Sequence, residues 1–163
     1  MSTDINKITI NEESDNYIGG LLNKGDDPSK EGYIITKKLN TSSGEAEIYF
    51  CEKASKKYIL KYYYRKNIFS DLEKKLKSLN HKNVMKIVSI GRYKKHSFEI
   101  DEYYEGGSLI DSQPSLSEEQ VLEILKQMNE GLKAIHDAGI IHRDIKAENI
   151  YYKDATKKEI VIM

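Results

Sequence analysis

Between Tyr33 and Tyr64 short β-forming runs alternate with hairpin-sized breaks, and this pattern most narrows what the chain can fold into. Tyr33–Leu39, Glu47–Glu52 (EIYFCE) and Lys57–Tyr64 (KYILKYYY) are three candidate strands, separated by TSSGEA and KASK. Connections this short suggest an antiparallel meander. LEKKLKSL then repeats Leu72, Leu76 and Leu79 at helical spacing, which predicts a helix with one apolar side. Two more β runs follow, Val84–Ile90 and Phe98–Tyr103, split by GRYKKH.

The pattern changes at GGSLID, Gly106 to Asp111. Ser117 and Gln120 have the spacing of a capping box. Val121, Leu125, Met128, Leu132 and Ile135 then line one face of a long helix, and Gly139 suits the left-handed position that ends it. A polar stretch, IIHRDIKAEN, comes next. The tail from Asn149 to Met163 reads as strand, DATKK turn and strand. The expected fold is α+β: five antiparallel strands with one helix after the third, then a linker, a long helix, a polar loop and a hairpin. Residues 1–31 carry acids, Gly and Pro with few apolar side chains, and read as a flexible, poorly packed lead-in.

Composition removes some functions. Lys plus Arg and Asp plus Glu both total 26, so the formal net charge is zero. A balanced surface has no field to recruit nucleic acid or an anionic membrane. No apolar run reaches transmembrane length, and MSTDINKITINEESD lacks the basic start and apolar centre of a signal peptide. Cys51 is the single cysteine, so no internal disulfide can form. These features suit a reducing, cytoplasmic setting.

HRDIKAEN, His142 to Asn149, resembles the catalytic loop of the eukaryotic-type protein kinases, H-R-D-x-K-x-x-N. Five fixed positions agree, and the order of strands before the loop is that of a kinase small lobe. The resemblance covers residues 32–163. It implies a small lobe with a hinge at its end over 32–104 and the start of a helical lobe over 105–163. It also implies ATP and Mg²⁺ as cofactors and a protein substrate. Phosphoryl transfer depends mainly on positioning and charge neutralisation. Asp144 would orient the acceptor hydroxyl and accept its proton. Lys146 would neutralise charge on the γ-phosphate, and Asn149 would bind Mg²⁺ through its amide oxygen. A Lys two residues after the Asp is similar to the Ser/Thr kinases. His142 and Arg143 would be architectural.

ILKYY resembles the strand that carries the ATP-anchoring lysine, which assigns that role to Lys61. Ile59 falls where the family often has Ala against adenine. The lysine's usual partner is a Glu on the next helix. Counting back from LNHKNV gives Leu72, with Glu73 one residue late, about 100° around a helix. Either Glu73 turns inward or the pair is absent. The glycine-rich phosphate turn is degenerate: aligned on Ile48, it offers Thr41, Ser43 and Ala46, with Gly44 its one glycine. Lost glycines restrict φ and close backbone approach. FEIDEYYEGGSL resembles the hinge, where Glu102 and Tyr104 would present backbone groups to adenine. Asp101 takes the gatekeeper position, a costly place for a carboxylate unless it is paired.

In this family D-F-G follows the hairpin, and no D-F-G occurs in the chain. The sequence therefore reads as a piece of a kinase domain truncated before that triplet. Little activity is expected from it alone, and part of the long helix's apolar stripe is expected to lie open. Beside an ATP-dependent Ser/Thr protein phosphotransferase stand two alternatives. One is a pseudokinase used as a nucleotide-binding or scaffold module. The other is a kinase-fold enzyme acting on small molecules.

Overall fold

The computed structural model describes residues 21–40, 44–64, 70–111 and 115–163. They fall into two compact units. The first draws on Met1–Glu73 and Ile87–Tyr103, the second on Lys74–Lys86 and Tyr104–Met163.

In the first unit β1 (Ile34–Leu39), β2 (Ala46–Lys53), β3 (Lys56–Tyr63), β4 (Ile87–Tyr93) and β5 (His96–Glu102) form one antiparallel sheet in the order β1-β2-β3-β5-β4. The β2–β3 connection is only Ala54 and Ser55, both at positive φ (49° and 61°). That is the backbone of a two-residue hairpin whose twist matches its strands. β4 starts at Ile87, later than the expected Val84, and runs on through Gly91–Tyr93. The reason is competition from the second unit. Val84 bridges to Ile162, and Met85 N–H donates to the Ile162 carbonyl at 2.8 Å.

Strand alternation gives the sheet two unlike faces. One carries Tyr49, Cys51, Leu60, Tyr62, Phe98 and Ile100, all buried with Leu22, Tyr33 and Ile35 in the main core. The other carries Ala46, Ile48, Ile59, Lys61, Tyr63, Glu99 and Asp101 by register. The expected loose lead-in does not extend over residues 21–31. Leu22 is fully buried, and its N–H donates to the Tyr49 hydroxyl at 3.2 Å. Gly25 N–H donates to the Ile35 carbonyl at 2.8 Å and Ile35 N–H to the Asp26 carbonyl at 2.9 Å. One buried leucine of this kind contributes roughly 1.5–3 kcal/mol, which outweighs the polar composition around it.

Helix α1 spans Ser70–Ser78, within the expected stretch. Leu79 just beyond it packs on the second unit's core, whereas Leu72 is exposed.

In the second unit α2 spans Glu118–Asp137, and the capping box between Ser117 and Gln120 is present in both directions. Its C-terminus closes as a Schellman motif. Gly139 has φ 68°, its N–H donates to the His136 carbonyl at 2.8 Å, and Ile140 N–H donates to the Ile135 carbonyl at 3.1 Å. Of the expected stripe, Ile135 is buried with Met128 and Leu132 packed beside it, while Val121 and Leu125 are 40% and 52% exposed, as expected for part of it. Ile124, Gln127 and Gly131, outside that stripe, are also buried. Close approach explains the position of Gly131. A Cβ on Gly131 would lie 2.7 Å from the Asn83 carbonyl oxygen, so only glycine lets the 81–84 turn rest on the helix. β6 (Ile150–Tyr152) and β7 (Ile160–Ile162) form the expected antiparallel hairpin.

Candidate active site

The polar loop is held at both ends by the hairpin. Asn149 ends a 3₁₀ turn (Ala147–Asn149) immediately before β6, and its carbonyl accepts from Met163 N–H at 2.8 Å. His142 Nε2 donates to the Met163 carbonyl. A carbonyl can only accept, so Nε2 carries the proton, and Nδ1 is then the acceptor for Asp144 N–H at 3.3 Å. His142 is thus a strut between β7 and the backbone of Asp144, as expected. Arg143 between them sits at φ 67°, a left-handed conformation that costs a non-glycine residue roughly 1–2 kcal/mol. The sharp reversal sets the neighbouring Asp144 side chain outward, where it is 55% exposed.

Asp144, Lys146 and Asn149, chosen from sequence, converge. Asn149 Nδ2 donates to the Asp144 carbonyl and to Asp144 Oδ2, both at 2.8 Å. Lys146 Nζ lies 3.3 Å from the same Oδ2. Asn149 is buried, so its amide is fixed, and an amide oxygen suits a hard cation. Mg²⁺ takes one or two protein oxygens together with phosphates and water, and the Asn149 amide oxygen fits that limited share. Chemically, the loop holds one oriented carboxylate beside one ammonium. It can accept a proton from a hydroxyl and offset phosphate charge.

In the first unit Ala46, Ile48 and Tyr63 are buried with Leu39, and Ile59 packs against them. Ile59, assigned to the adenine side, and Ala46 and Ile48, aligned with the phosphate turn, are therefore together on one face. Lys61 stands in register opposite Ile48 on β2 and Glu99 on β5. Its Nζ lies 2.9 Å from Glu99 Oε1 and 2.9 Å from Asp101 Oδ2. Burial pushes the Lys61 ammonium down, but the charges of Asp101 and then Glu99 outweigh it and hold the group well above its ordinary range. Tyr63 beside them is driven up, first by burial and then by the Glu99 charge.

Of the two possibilities left open for Glu73, the second holds among the described residues: the ion pairs of Lys61 run to β5. The one-residue offset on α1 and the proximity of two β5 carboxylates agree with this. Asp101, costly at the gatekeeper position if alone, is paired with Lys61. Glu99 was missed. Its signal was legible in Phe98-Glu99-Ile100-Asp101, where acids alternate with apolar residues and so share the face opposite the core. Glu102 forms an ion pair with Lys56 at 2.8 Å, and the Tyr104 hydroxyl accepts from Lys86 N–H at 3.4 Å. The hinge role expected of them concerns backbone groups, not these side-chain contacts. Ser43 lies outside the described residues.

Residues 36–163 match the family described as Protein kinase domain. The chain is 42% identical over 77 residues to the serine/threonine-protein kinase shk1/pak1 of Schizosaccharomyces pombe, covering 46% of this chain and 12% of that one. The match spans 25% of the calcium-dependent protein kinase 4 of Plasmodium berghei and 6% of the MAP3K epsilon protein kinase 1 of Arabidopsis thaliana, so the chain corresponds to a small part of these relatives. In fold it is similar to the kinase domain of Mycobacterium tuberculosis PknI, with a TM-score of 0.71 at 19% identity over 86% of this chain and 61% of that one. It is also similar to Rad53 1-466 solved in complex with AMP-PNP, with a TM-score of 0.66 at 22% identity over 74% of this chain and 34% of that one. The family match covers most of the chain and includes both the Lys61 strand and the polar loop. The chain therefore belongs to the eukaryotic-type (Hanks-type) protein kinase domain family.

Proposed function

We propose that the chain is part of an ATP-dependent protein phosphotransferase that moves the γ-phosphate of ATP to Ser or Thr hydroxyls of protein substrates. The observation that carries this reading is the convergence of Asn149 Nδ2 and Lys146 Nζ on Asp144 Oδ2. Asp144 takes the hydroxyl proton, Lys146 stabilises charge on the transferred group, and Asn149 contributes an oxygen to Mg²⁺. When bound, that ion offsets phosphate charge. The sheet face of Ala46, Ile48 and Ile59 supplies the apolar side of a nucleotide site, with Lys61 at its polar end. Similarity to Rad53 1-466, solved in complex with AMP-PNP, supports ATP as the nucleotide. The single cysteine supports a cytoplasmic setting.

The test is transfer of labelled γ-phosphate from ATP to a generic protein substrate by the full gene product. Asp144→Ala should lower kcat by about 10²–10⁴, the usual contribution of a positioned acid–base group. Unchanged transfer in Asp144→Ala, or product found only on tyrosine, would overturn the reading. A second reading, a nucleotide-binding or scaffold module without transfer, draws on the two carboxylates around Lys61. It predicts no Mg²⁺-dependent transfer to any hydroxyl substrate.

A further inference from the structure

Lys61 is encircled within its own sheet. Glu99 is its cross-strand neighbour on β5, and Asp101 lies two residues along on the same face. The three side chains are 14%, 9% and 1% exposed, so solvent screens the contacts little. Among the described residues, the ion pairs of Lys61 run to β5. A strand and a helix place a carboxylate differently. A carboxylate on a helix is placed by wherever that helix docks. A carboxylate on the adjacent strand is placed by the backbone ladder itself, at the cross-strand spacing of roughly 4.5–5.5 Å between Cβ atoms.

We propose that Glu99 and Asp101 are positioning residues for Lys61, orienting its ammonium from inside the sheet. The backbone ladder that forms β3 and β5 then places both carboxylates beside Lys61. One ammonium between two carboxylates also leaves the group with one formal negative charge. A nucleotide phosphate therefore reaches Lys61 in competition with Glu99 and Asp101, and a divalent cation travelling with the nucleotide offsets the excess. Among the described residues, Tyr63 on β3 is a further titratable neighbour, while the β2 residue opposite Lys61 is the apolar Ile48. The functional weight of this arrangement rests on Lys61 being the nucleotide anchor. The arrangement itself does not need nucleotide, and the experiment separates the two.

Lys61 acylation is followed by peptide mass spectrometry across a pH series without nucleotide, using exposed Lys57 on the same strand as internal reference. Acylation needs the neutral amine, so the rate at fixed pH reports how firmly the ammonium is held. Glu99→Gln and Asp101→Asn should each raise the Lys61-to-Lys57 rate ratio about tenfold at fixed pH. Glu73→Gln should leave it unchanged. A general loosening of the fold would raise the labelling of the buried Cys51 as well, which a thiol reagent reads in the same samples. If Glu73→Gln raises the ratio as much as the β5 variants do, the proposal fails. It fails equally if folded Glu99→Gln and Asp101→Asn behave as wild type. Should either β5 variant not fold, the Glu73→Gln result still decides. Protection of Lys61 by Mg²⁺–ATP in the wild-type chain tests the nucleotide reading on its own.

Discussion

Gln127, a polar residue on the buried side of α2, is expected to be a principal support of the hairpin that anchors the catalytic loop. Its Oε1 accepts from Ile160 N–H at 3.0 Å and from Asn83 Nδ2 at 3.0 Å, and its Nε2 donates to the Lys158 carbonyl at 2.9 Å. Ile160 sits at a position of β7 whose N–H points away from β6, so Gln127 provides its acceptor. Ile160 is fully buried and Asn83 is 1% exposed. Gln127→Met keeps the side-chain length and helix propensity but removes every one of these bonds. A buried donor left unsatisfied costs about 1–3 kcal/mol. Asn83 Nδ2 loses one of two partners and keeps the Ile160 carbonyl at 2.8 Å, so its share is smaller, about 1 kcal/mol. The expected loss is therefore about 2–4 kcal/mol, a large part of the stability of a small domain. Urea titration followed by circular dichroism measures it, with Lys126→Met on the exposed face of α2 as the control. Amide exchange at Ile160 should speed up in Gln127→Met and not in the control. A midpoint for Gln127→Met equal to that of Lys126→Met, with Ile160 still protected, would refute the reasoning. The consequence reaches the site because β7 leads directly to Met163, whose backbone holds both Asn149 and His142.

Two further outcomes follow from buried titratable groups in the first unit. Burial raises the Glu47 carboxyl, but hydrogen bonds from Lys38, Tyr49 and the Leu21 N–H outweigh it and leave the group below its ordinary value of 4.5. Its stabilisation is therefore complete above about pH 4.5 and disappears as pH falls through the lower folded-state value. The stability gap between wild type and Glu47→Gln in urea melts should shrink steadily below pH 4.5, and a gap independent of pH would contradict this ionic role. Cys51 is fully buried, and burial, followed by the charges of Asp101, Asp27 and Glu52, pushes its thiol up to about 12. A thiol reagent at neutral pH should label it only as the chain unfolds in urea; fast labelling of the native protein would show the core to be open.

Much of this protein is readable along the chain because the relevant interactions are local. Strand alternation, hairpin-length breaks, the Ser117–Gln120 cap and the Gly139 stop each depend on a few neighbouring residues, and each appears in the structure. The loop from His142 to Asn149 is local as well: its hydrogen bonds to Asp144 span no more than five residues. Spacing was therefore enough to bring Asp144, Lys146 and Asn149 together.

What tertiary structure decided are the choices between competitors far apart in sequence. Val84–Lys86 has the composition of a strand, but Ile162 claims Val84 for the other unit. On the inward side of α2, Gly131 and Gln127 stand beside the stripe residues Met128, Leu132 and Ile135 because Asn83 approaches Gly131 closely and bonds to Gln127. The partner of Lys61 depended on which carboxylate the fold brought within 2.9 Å. Glu73 is nearer in sequence, but β5 is nearer in space. A ladder of backbone hydrogen bonds joins residues 38 and 40 positions apart as firmly as a turn joins neighbours, and no local pattern records that distance.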